Sequence, residues 1–258
     1  MNWILVRGAG DIATGTLLRL KRCGFSVAAL ETDAPSAIRR TVSFSEAIYD
    51  GQTTVEGFSA RLISTLPEKP TDWIPILIDP AGNTIHACHP TAVVDAILAK
   101  QNLGTTIHMA PVTVALGPGF CAGQDVHAVV ETKRGHTLGR VLWNGPAASN
   151  TGIPGVVNGF GAERVIHAPV DGFLQIIKDI GSIVEKGDVI AYLDKTPVYA
   201  SISGLVRGML REGFHVSPGM KMADIDPRTD TDWHTVSDKA LAVAGGVLEA
   251  LLAMGVRP

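Results

Sequence analysis

Residues 3–13 read WILVRGAGDIA, and this stretch decides the expected fold. A short apolar run predicts a first strand, and the G-x-G-x-x-A pattern after it matches the glycine fingerprint of dinucleotide-binding folds. In such loops one glycine permits a tight turn, the next lets the backbone approach a pyrophosphate, and the following helix offers unpaired N–H groups to that anion. The predicted cofactor-binding residues of this loop are Gly8, Ala9, Gly10, Asp11 and Ile12.

The residues after the fingerprint complete a strand, helix and strand. The leucines of 17–20 have helical spacing, and 26–30 predicts a second strand. Glu31 closes that strand about 20 residues beyond the fingerprint, where an acidic residue accepts hydrogen bonds from an adenosine ribose. Glu31 is therefore the sixth predicted binding residue, and it favours NAD over NADP. Arg39 and Arg40 could instead accommodate a 2′-phosphate.

Further alternation of strands and helices is expected downstream. The pattern predicts a buried strand at 74–78 that ends at Asp79, a helix at 91–100 and a strand at 107–116. Because ligands of parallel sheets bind at the carboxyl ends of strands, Asp79 and the glycine-rich loop 117–123 are candidates for substrate contact. Both are equally well explained as ordinary turns.

The second half contains an internal repeat with an offset of 32 residues. It superposes three pairs of glycines, namely Gly172 with Gly204, Gly181 with Gly213, and Gly187 with Gly219. Two such copies joined by a hairpin resemble the barrel-sandwich hybrid of lipoyl and biotinyl domains. Lys195 lies in the joining hairpin, where carriers hold their modified lysine. The hairpin is short and Pro197 follows closely, so no covalent cofactor is expected.

The expected fold class is α/β, with an N-terminal Rossmann-like parallel sheet, a C-terminal barrel-sandwich-hybrid β module and a C-terminal helix. The expected divisions of the chain are a nucleotide-binding domain at 1–131, a Gly/Pro-rich connecting segment at 132–165, the barrel-sandwich hybrid at 166–228 and the helix at 229–258. Ser237 is suited to cap this helix.

Composition excludes several classes of function. A net charge of −3 without a Lys/Arg block argues against nucleic-acid binding, and no apolar run is long enough for a membrane span. Three widely spaced cysteines favour the cytoplasm. His86, Cys88 and His89 lack a second ligand pair, so no metal site is predicted. No catalytic residue can be assigned.

Six segments distributed along the chain are long or distinctive: RGAGDIATGTLLRL, AIRRTVSFSEAIYDG, VVDAILAKQNLGTTIHMAP, LGPGFCAGQDVHAVVETKRGHTLGRV, NTGIPG and SDKALAVAGGVLEA. Together they resemble the YqeB-like family of accessory proteins in selenium-dependent molybdenum hydroxylase systems. The resemblance implies help in maturing molybdenum hydroxylases, with the hydroxylase or other maturation factors as partners and a molybdopterin dinucleotide as the cofactor handled.

Two alternatives remain beside this function: an NAD-dependent oxidoreductase, which the fingerprint and Glu31 permit, and a carrier modified at Lys195. The sequence leaves enzymatic activity and oligomeric state open, a homo-oligomer included.

Overall fold

The computed structural model describes residues 2–152 and 155–258. They form two compact units, neither continuous in sequence: the first comprises Met1–Pro35, Ser43–Asn150 and Val236–Pro258, and the second Ser36–Val42 and Thr151–Thr235. The chain thus divides differently from the expected ranges, because the C-terminal helix belongs to the first unit. Residues 153 and 154, within the expected connecting segment and the NTGIPG motif, lie outside the described residues.

The first unit is built on a nine-stranded mixed sheet. Its strands are β1 (Trp3–Arg7), β2 (Ser26–Glu31), β3 (Gln52–Val55), β4 (Phe58–Ile63), β5 (Ile74–Ile78), β6 (Ala92–Asp95), β7 (Val112–Leu116), β8 (Cys121–Ala122), β9 (Ala128–Val130), β10 (Val141–Leu142) and β11 (Gly145–Pro146). Its helices are α1 (Asp11–Arg22), α2 (Ala47–Asp50), α3 (Asn83–Cys88) and α4 (Asp238–Ala253). Strands β8 and β11 pair separately, and the sheet order is β10-β9-β7-β6-β1-β2-β5-β4-β3.

The seven central strands of this sheet are parallel, whereas β10 and β3 pair antiparallel at the two edges. Strand β1 lies in the middle, and all five of its residues are buried. This burial explains the unbroken apolar run at 3–6, because a parallel strand covered on both faces needs no polar alternation.

The helix expected at 91–100 is wrong, since Ala92–Asp95 is strand β6 and lies between β1 and β7. All four residues are buried, and the adjacent Val93 and Val94 are fully so. A short apolar run does not distinguish a buried strand from a buried helix, and the β-branched pair was the better guide. The strand expected at 107–116 is shorter, with a 3-10 turn at Ile107–Met109 before β7.

Helices α1 and α4 pack side by side and run in the same direction. A Cβ on Gly15, in the first half of α1, would lie 2.8 Å from that of Ala240, in the first turn of α4. A Cβ on Gly24, just after α1, would lie 3.4 Å from that of Pro258, beyond the end of α4. The amino-terminal parts of the two helices are therefore neighbours, and so are their carboxyl-terminal ends. The predicted cap of α4 is confirmed, because the Ser237 hydroxyl accepts the Ala240 N–H at 3.2 Å.

The second unit consists of β-structure. Its strands are β12 (Val165–His167), β13 (Gly172–Ile176), β14 (Ile183–Val184), β15 (Val189–Leu193), β16 (Thr196–Tyr199), β17 (Gly204–Met209), β18 (His215–Val216) and β19 (Lys221–Asp226). They form two four-stranded sheets ordered β12-β19-β17-β14 and β16-β15-β13-β18, and every pair is antiparallel.

The internal repeat is confirmed. Strands β13, β14 and β15 begin 32 residues before β17, β18 and β19. The two copies exchange partners, since β14 pairs with β17 and β13 with β18. Gly172 and Gly204 have φ values of 157° and 155°, and a Cβ on Gly204 would lie 2.2 Å from the carbonyl oxygen of Asp226. Glycine is therefore required there by space and conformation together.

The α/β class is consistent with these units, but the expected Rossmann-like parallel sheet plus barrel-sandwich hybrid is wrong. The first sheet is mixed, with antiparallel strands at both edges, and the β module consists of two separate antiparallel sheets completed by the distant segment 36–42. Among the described residues, no helix is both long and apolar enough to cross a bilayer.

Candidate functional site

The predicted glycine loop follows the carboxyl end of β1, where the order in which strands are added to the sheet reverses. From β1 the chain reaches β2 on one side, and after β5 it returns to place β6 on the other. Gly8 has φ 99°, and its Cβ would lie 2.9 Å from the carbonyl oxygen of Ala96, just after β6. Gly8 thus lets the loops after β1 and β6 touch. Crevices at such switch points are where parallel sheets bind ligands.

Gly10 is the part of the loop that leaves room for a ligand. It precedes the first residue of α1, has φ −66°, and a Cβ there would meet nothing within 4 Å. The first N–H groups of a helix have no partner within it, and those of α1 begin at Asp11 and Ile12. Gly10 also has no capping side chain. The arrangement suits an anion at the helix N-terminus.

Glu31 holds the loop in place. Its Oε2 accepts the N–H of Ala9 at 2.7 Å and its Oε1 accepts the N–H of Thr32 at 2.8 Å. Burial raises the pKa of Glu31, although these two hydrogen bonds act to lower it. A carboxylate has about four lone-pair sites, so two acceptor positions remain for a ligand.

A groove of about 700 Å³ lies beside Glu31, at the carboxyl ends of β4 and β5. The two features adjoin, because the N–H of Asp79 donates to the carbonyl oxygen of Glu31 at 3.0 Å. Apolar side chains and short polar groups line the groove: Leu62, Ile63, Ser64, Leu77, Ile78, Asp79, Asn83 and Thr84. Its volume is typical of small-molecule sites.

Asp79, a candidate for substrate contact, caps the short helix α3. Its carboxylate accepts N–H groups of Gly82 and Asn83 at 2.9 Å each, and of Thr84 at 2.7 Å. Burial acts to raise the pKa of Asp79, but the hydrogen bonds from Thr84 and its neighbours outweigh it and the pKa is lowered. The contacts of Asp79 are therefore those of a turn residue.

Lys239, which the sequence did not single out, lies in the first turn of α4. Burial lowers the pKa of Lys239, and so does the charge of Arg134, whereas the carboxylates of Asp11, Glu131 and Asp238 oppose them. Because α1 and α4 run in the same direction, their positive N-terminal ends share one edge of the unit with this ammonium group. Only the packing of α4 against α1 reveals it.

A cluster of buried polar side chains lies where β1 and β6 end, next to the glycine loop. Arg7 at the end of β1 is 3.7 Å from Asp95 at the end of β6, and the hydroxyl of Thr105 donates to Asp95 at 2.5 Å. Arg7 also donates to the carbonyl oxygen of Pro80 at 3.0 Å. Burial raises the pKa of Asp95, while Thr105, Ile97 and Arg7 counter it. These contacts fix the carboxyl ends of the two central strands.

The other residues that the sequence suggested for ligand contact or modification do not lie at the glycine loop. In the loop 117–123, a Cβ on Gly117 would collide with Thr132, which explains that glycine structurally. Arg40 donates to Asp179 at 2.6 Å and to the carbonyl oxygen of Met209 at 2.8 Å, within the second unit. Lys195 is exposed at the two-residue turn between β15 and β16.

The histidines do not form a metal site within residues 2–152 and 155–258, where no group of three ligands is suitably placed. His89, His108 and His127 instead line a cavity of about 500 Å³. They precede β6, β7 and β9, so this cavity lies at the amino edge of the parallel strands, opposite the glycine loop. His127 accepts the N–H of Thr113 on Nδ1 at 3.1 Å.

Comparison with known proteins identifies one close relative. The chain is 51% identical over 254 residues to YqeB of Escherichia coli K12, an alignment covering 96% of the chain. The chain is YqeB-like. It spans about half, 47%, of the length of YqeB, so the activity and partners of the whole relative do not transfer directly to this YqeB-like chain. No family model matches it.

Solved structures give only distant similarity to the YqeB-like chain. The ectoine utilization protein EutE (DoeB) from Ruegeria pomeroyi is 15% identical, with 87% of this chain and 85% of that one covered and a TM-score of 0.26. A succinylglutamate desuccinylase from Silicibacter is also 15% identical, with coverages of 87% and 84% and the same TM-score. Scores this low transfer neither fold details nor activity.

Proposed function

We propose that the first unit binds a nucleotide or dinucleotide-type cofactor at the glycine loop, and that the chain serves in the maturation of molybdenum hydroxylases. One observation carries the binding proposal: Gly10 adjoins open space directly before the unpaired N–H groups of α1, at the switch point of the sheet. This is the position at which backbone can approach a pyrophosphate without interference from a side chain.

The neighbouring groups suit the other parts of a nucleotide. Phosphates would lie at α1, with Lys239 adding positive charge from α4. Ribose hydroxyls would donate to the lone pairs that Glu31 retains after binding Ala9 and Thr32. The base would occupy the adjoining groove, where leucine and isoleucine side chains from the ends of β4 and β5 provide apolar surface.

The maturation role rests on the family resemblance of the long sequence segments. Under this role we infer that the chain works in the cytoplasm, with a molybdenum hydroxylase or another maturation factor as partner. Under this role the ligand is a molybdopterin dinucleotide, and NAD is the other candidate. Neither requires covalent attachment to the protein.

The decisive experiment is a thermal-shift panel with NAD, NADP, FAD, S-adenosylmethionine and cytidine nucleotides. A ligand at a hundred times its dissociation constant stabilises the folded protein by about 2.7 kcal/mol. We expect a shift with one class of nucleotide that is lost in Gly10→Ala, whose added methyl enters the open space. Lys186→Ala, which changes an exposed side chain of the second unit, is the control and should retain the shift.

The outcome also separates the candidate functions. A shift with cytidine nucleotides supports cofactor handling. A shift with NAD, together with reduction of bound NAD in a metabolite screen, would move the function to an oxidoreductase. The absence of any shift, or a shift that Gly10→Ala leaves intact, would refute binding at this loop.

A further inference from the structure

The cavity at the amino edge of the parallel strands of the first unit has no part in the proposed nucleotide site. Its volume of about 500 Å³ is within the range of small-molecule sites. His89, His108 and His127 contribute imidazole rings to its wall and precede β6, β7 and β9, respectively. These three strands are neighbours in the sheet, so the fold brings together histidines that are far apart in the sequence.

The ring of His127 is held in one orientation by Thr113, a fully buried residue of β7. The backbone N–H of Thr113 donates to Nδ1 of His127 at 3.1 Å, and the Thr113 hydroxyl lies 2.8 Å from the same nitrogen. The oxygen of that hydroxyl accepts the backbone N–H of His127 at 3.1 Å, which leaves its hydrogen available to Nδ1. Because Nδ1 accepts, the hydrogen of the neutral ring is on Nε2.

Nε2 of His127 is therefore the donor that this ring can offer to a ligand. In the portion of the chain that the structure describes, the hydrogen bonds of the ring are those to Thr113 at Nδ1, and none involves Nε2. The cavity thus has one N–H donor whose ring is fixed by the sheet itself. His89 and His108, which are exposed, can turn their rings to add further donors.

His89 occupies a strained backbone position. It ends α3 with φ 47° and ψ 65°, in the left-handed region. Glycine is the usual residue in this conformation at a helix end, and a residue before proline, as His89 is before Pro90, favours extended backbone. The backbone therefore gives no reason for a histidine at this position. Strained positions cluster at ligand sites, and the imidazole that His89 brings to the cavity wall supplies a reason.

The rest of the cavity wall is mainly apolar. Ile107 and Met109 come from the turn before β7, and Pro90 and Pro111 come from the segments that lead into β6 and β7. Among these described lining residues there is no carboxylate, so an anionic ligand meets no like charge on the wall. The wall combines imidazole donors with surface on which a carbon skeleton can pack.

We propose that this cavity binds a small organic carboxylate, whose oxygens accept from the imidazoles and whose carbon skeleton packs on Met109 and the two prolines. A carboxylate only accepts hydrogen bonds, which matches the Nε2–H of His127. Hydrogen bonds to a charged acceptor are about twice as strong as those between neutral groups. The apolar part of the wall favours an organic acid over an inorganic anion. This site is separate from the proposed function and does not depend on nucleotide binding.

The test is NMR titration of isotope-labelled protein with acetate, butyrate and hexanoate at constant pH and ionic strength. Two further methylenes buried against the wall tighten binding by about tenfold, so the Kd should fall from acetate to butyrate and again to hexanoate. The ring nitrogens of His127 should show the hydrogen on Nε2 and should shift on titration. Hexylamine has the same tail with a cationic head and should not bind saturably.

His127→Asn removes the donor and keeps the support of the ring. The amide oxygen of asparagine can replace Nδ1 and accept from Thr113, but nothing replaces Nε2–H, so hexanoate should bind about tenfold more weakly. His108→Asn changes an exposed side chain of the wall and should weaken binding severalfold. His136→Asn is the matched control, because it changes an exposed histidine in the loop after β9, and it should leave binding unchanged.

Gly10→Ala should bind hexanoate as the wild type does, which separates this cavity from the glycine loop. The proposal is overturned if no carboxylate binds saturably, if acetate and hexanoate bind equally, or if hexylamine binds as tightly as hexanoate. It is also overturned if His127→Asn retains the wild-type affinity, and His108→Asn decides in the same way if His127→Asn does not fold.

Discussion

Substitution by alanine should lower the stability of the protein at Gly8 but hardly at Gly10, the two glycines of the fingerprint. Alanine at Gly8 must adopt φ 99°, which costs a residue with a side chain about 1–2 kcal/mol. Its Cβ would also lie 2.9 Å from the backbone of Ala96, and overpacking adds about 1–3 kcal/mol. We expect Gly8→Ala to lose about 3 kcal/mol, which lowers the Tm of a unit of this size by about 6–12 °C.

Gly10→Ala should keep its stability within about 1 kcal/mol, because its φ of −66° is ordinary and its Cβ meets nothing. Differential scanning calorimetry on both variants and wild type measures the contrast, and nucleotide titration shows whether Gly10→Ala loses the ligand. A Gly8→Ala protein that melts within about 2 °C of wild type would refute the steric reasoning. So would equal destabilisation of both variants.

Three further predictions concern the elements around the site. In α4, Gly245→Ala should raise the free energy of unfolding by up to about 1 kcal/mol, because its Cβ would meet nothing within 4 Å. Gly246→Ala should lower it by more than about 2 kcal/mol, because its Cβ would lie 2.2 Å from the carbonyl oxygen of Gly139. Urea denaturation compares the two variants, and the reverse order of stability would contradict this packing. Ser237→Ala should cost about 1 kcal/mol in the same assay and Ser237→Asp almost nothing, because only alanine loses the cap. The pKa of Asp79 is lowered below its ordinary value of 3.8, so its stabilisation is present above pH 3.8 and is lost as the pH falls through the folded-state pKa. Urea midpoints of wild type and Asp79→Asn should therefore converge in acid, and a constant gap would exclude this linkage.

Much of the fold could be predicted wherever local signals agreed. Strand β1, the fingerprint, α1 and β2 follow one another within 29 residues, so the pattern of each element supports the next. The repeat was equally clear, because Gly172 and Gly204 need the same special backbone conformation. Antiparallel edge strands were not predictable, since β3 and β10 are short and owe their direction to pairing.

The site was predictable only where it is continuous in sequence. The loop and Glu31 were found from spacing, but the bond from Ala9 to Glu31 depends on β1 and β2 being adjacent. Lys239 could not be found, because it is more than 200 residues from the fingerprint and reaches the region through the packing of α4. Arg164, Arg207 and Arg228 likewise come together with Asp224 and Asp226 only because β12 and β17 both pair with β19.

Net charge predicts the class of partner better than it predicts where charged side chains meet. A chain of charge −3 is not expected to carry the broad positive surface that nucleic acids require. The sum conceals local arrangement, however, because Arg164, Arg207 and Arg228 meet Asp224 and Asp226 although they lie far apart in the sequence. A buried charge acts over short distances on its immediate partners, whereas distant surface charges are screened by salt. The net charge of a sequence therefore does not predict where the fold brings its charged side chains together.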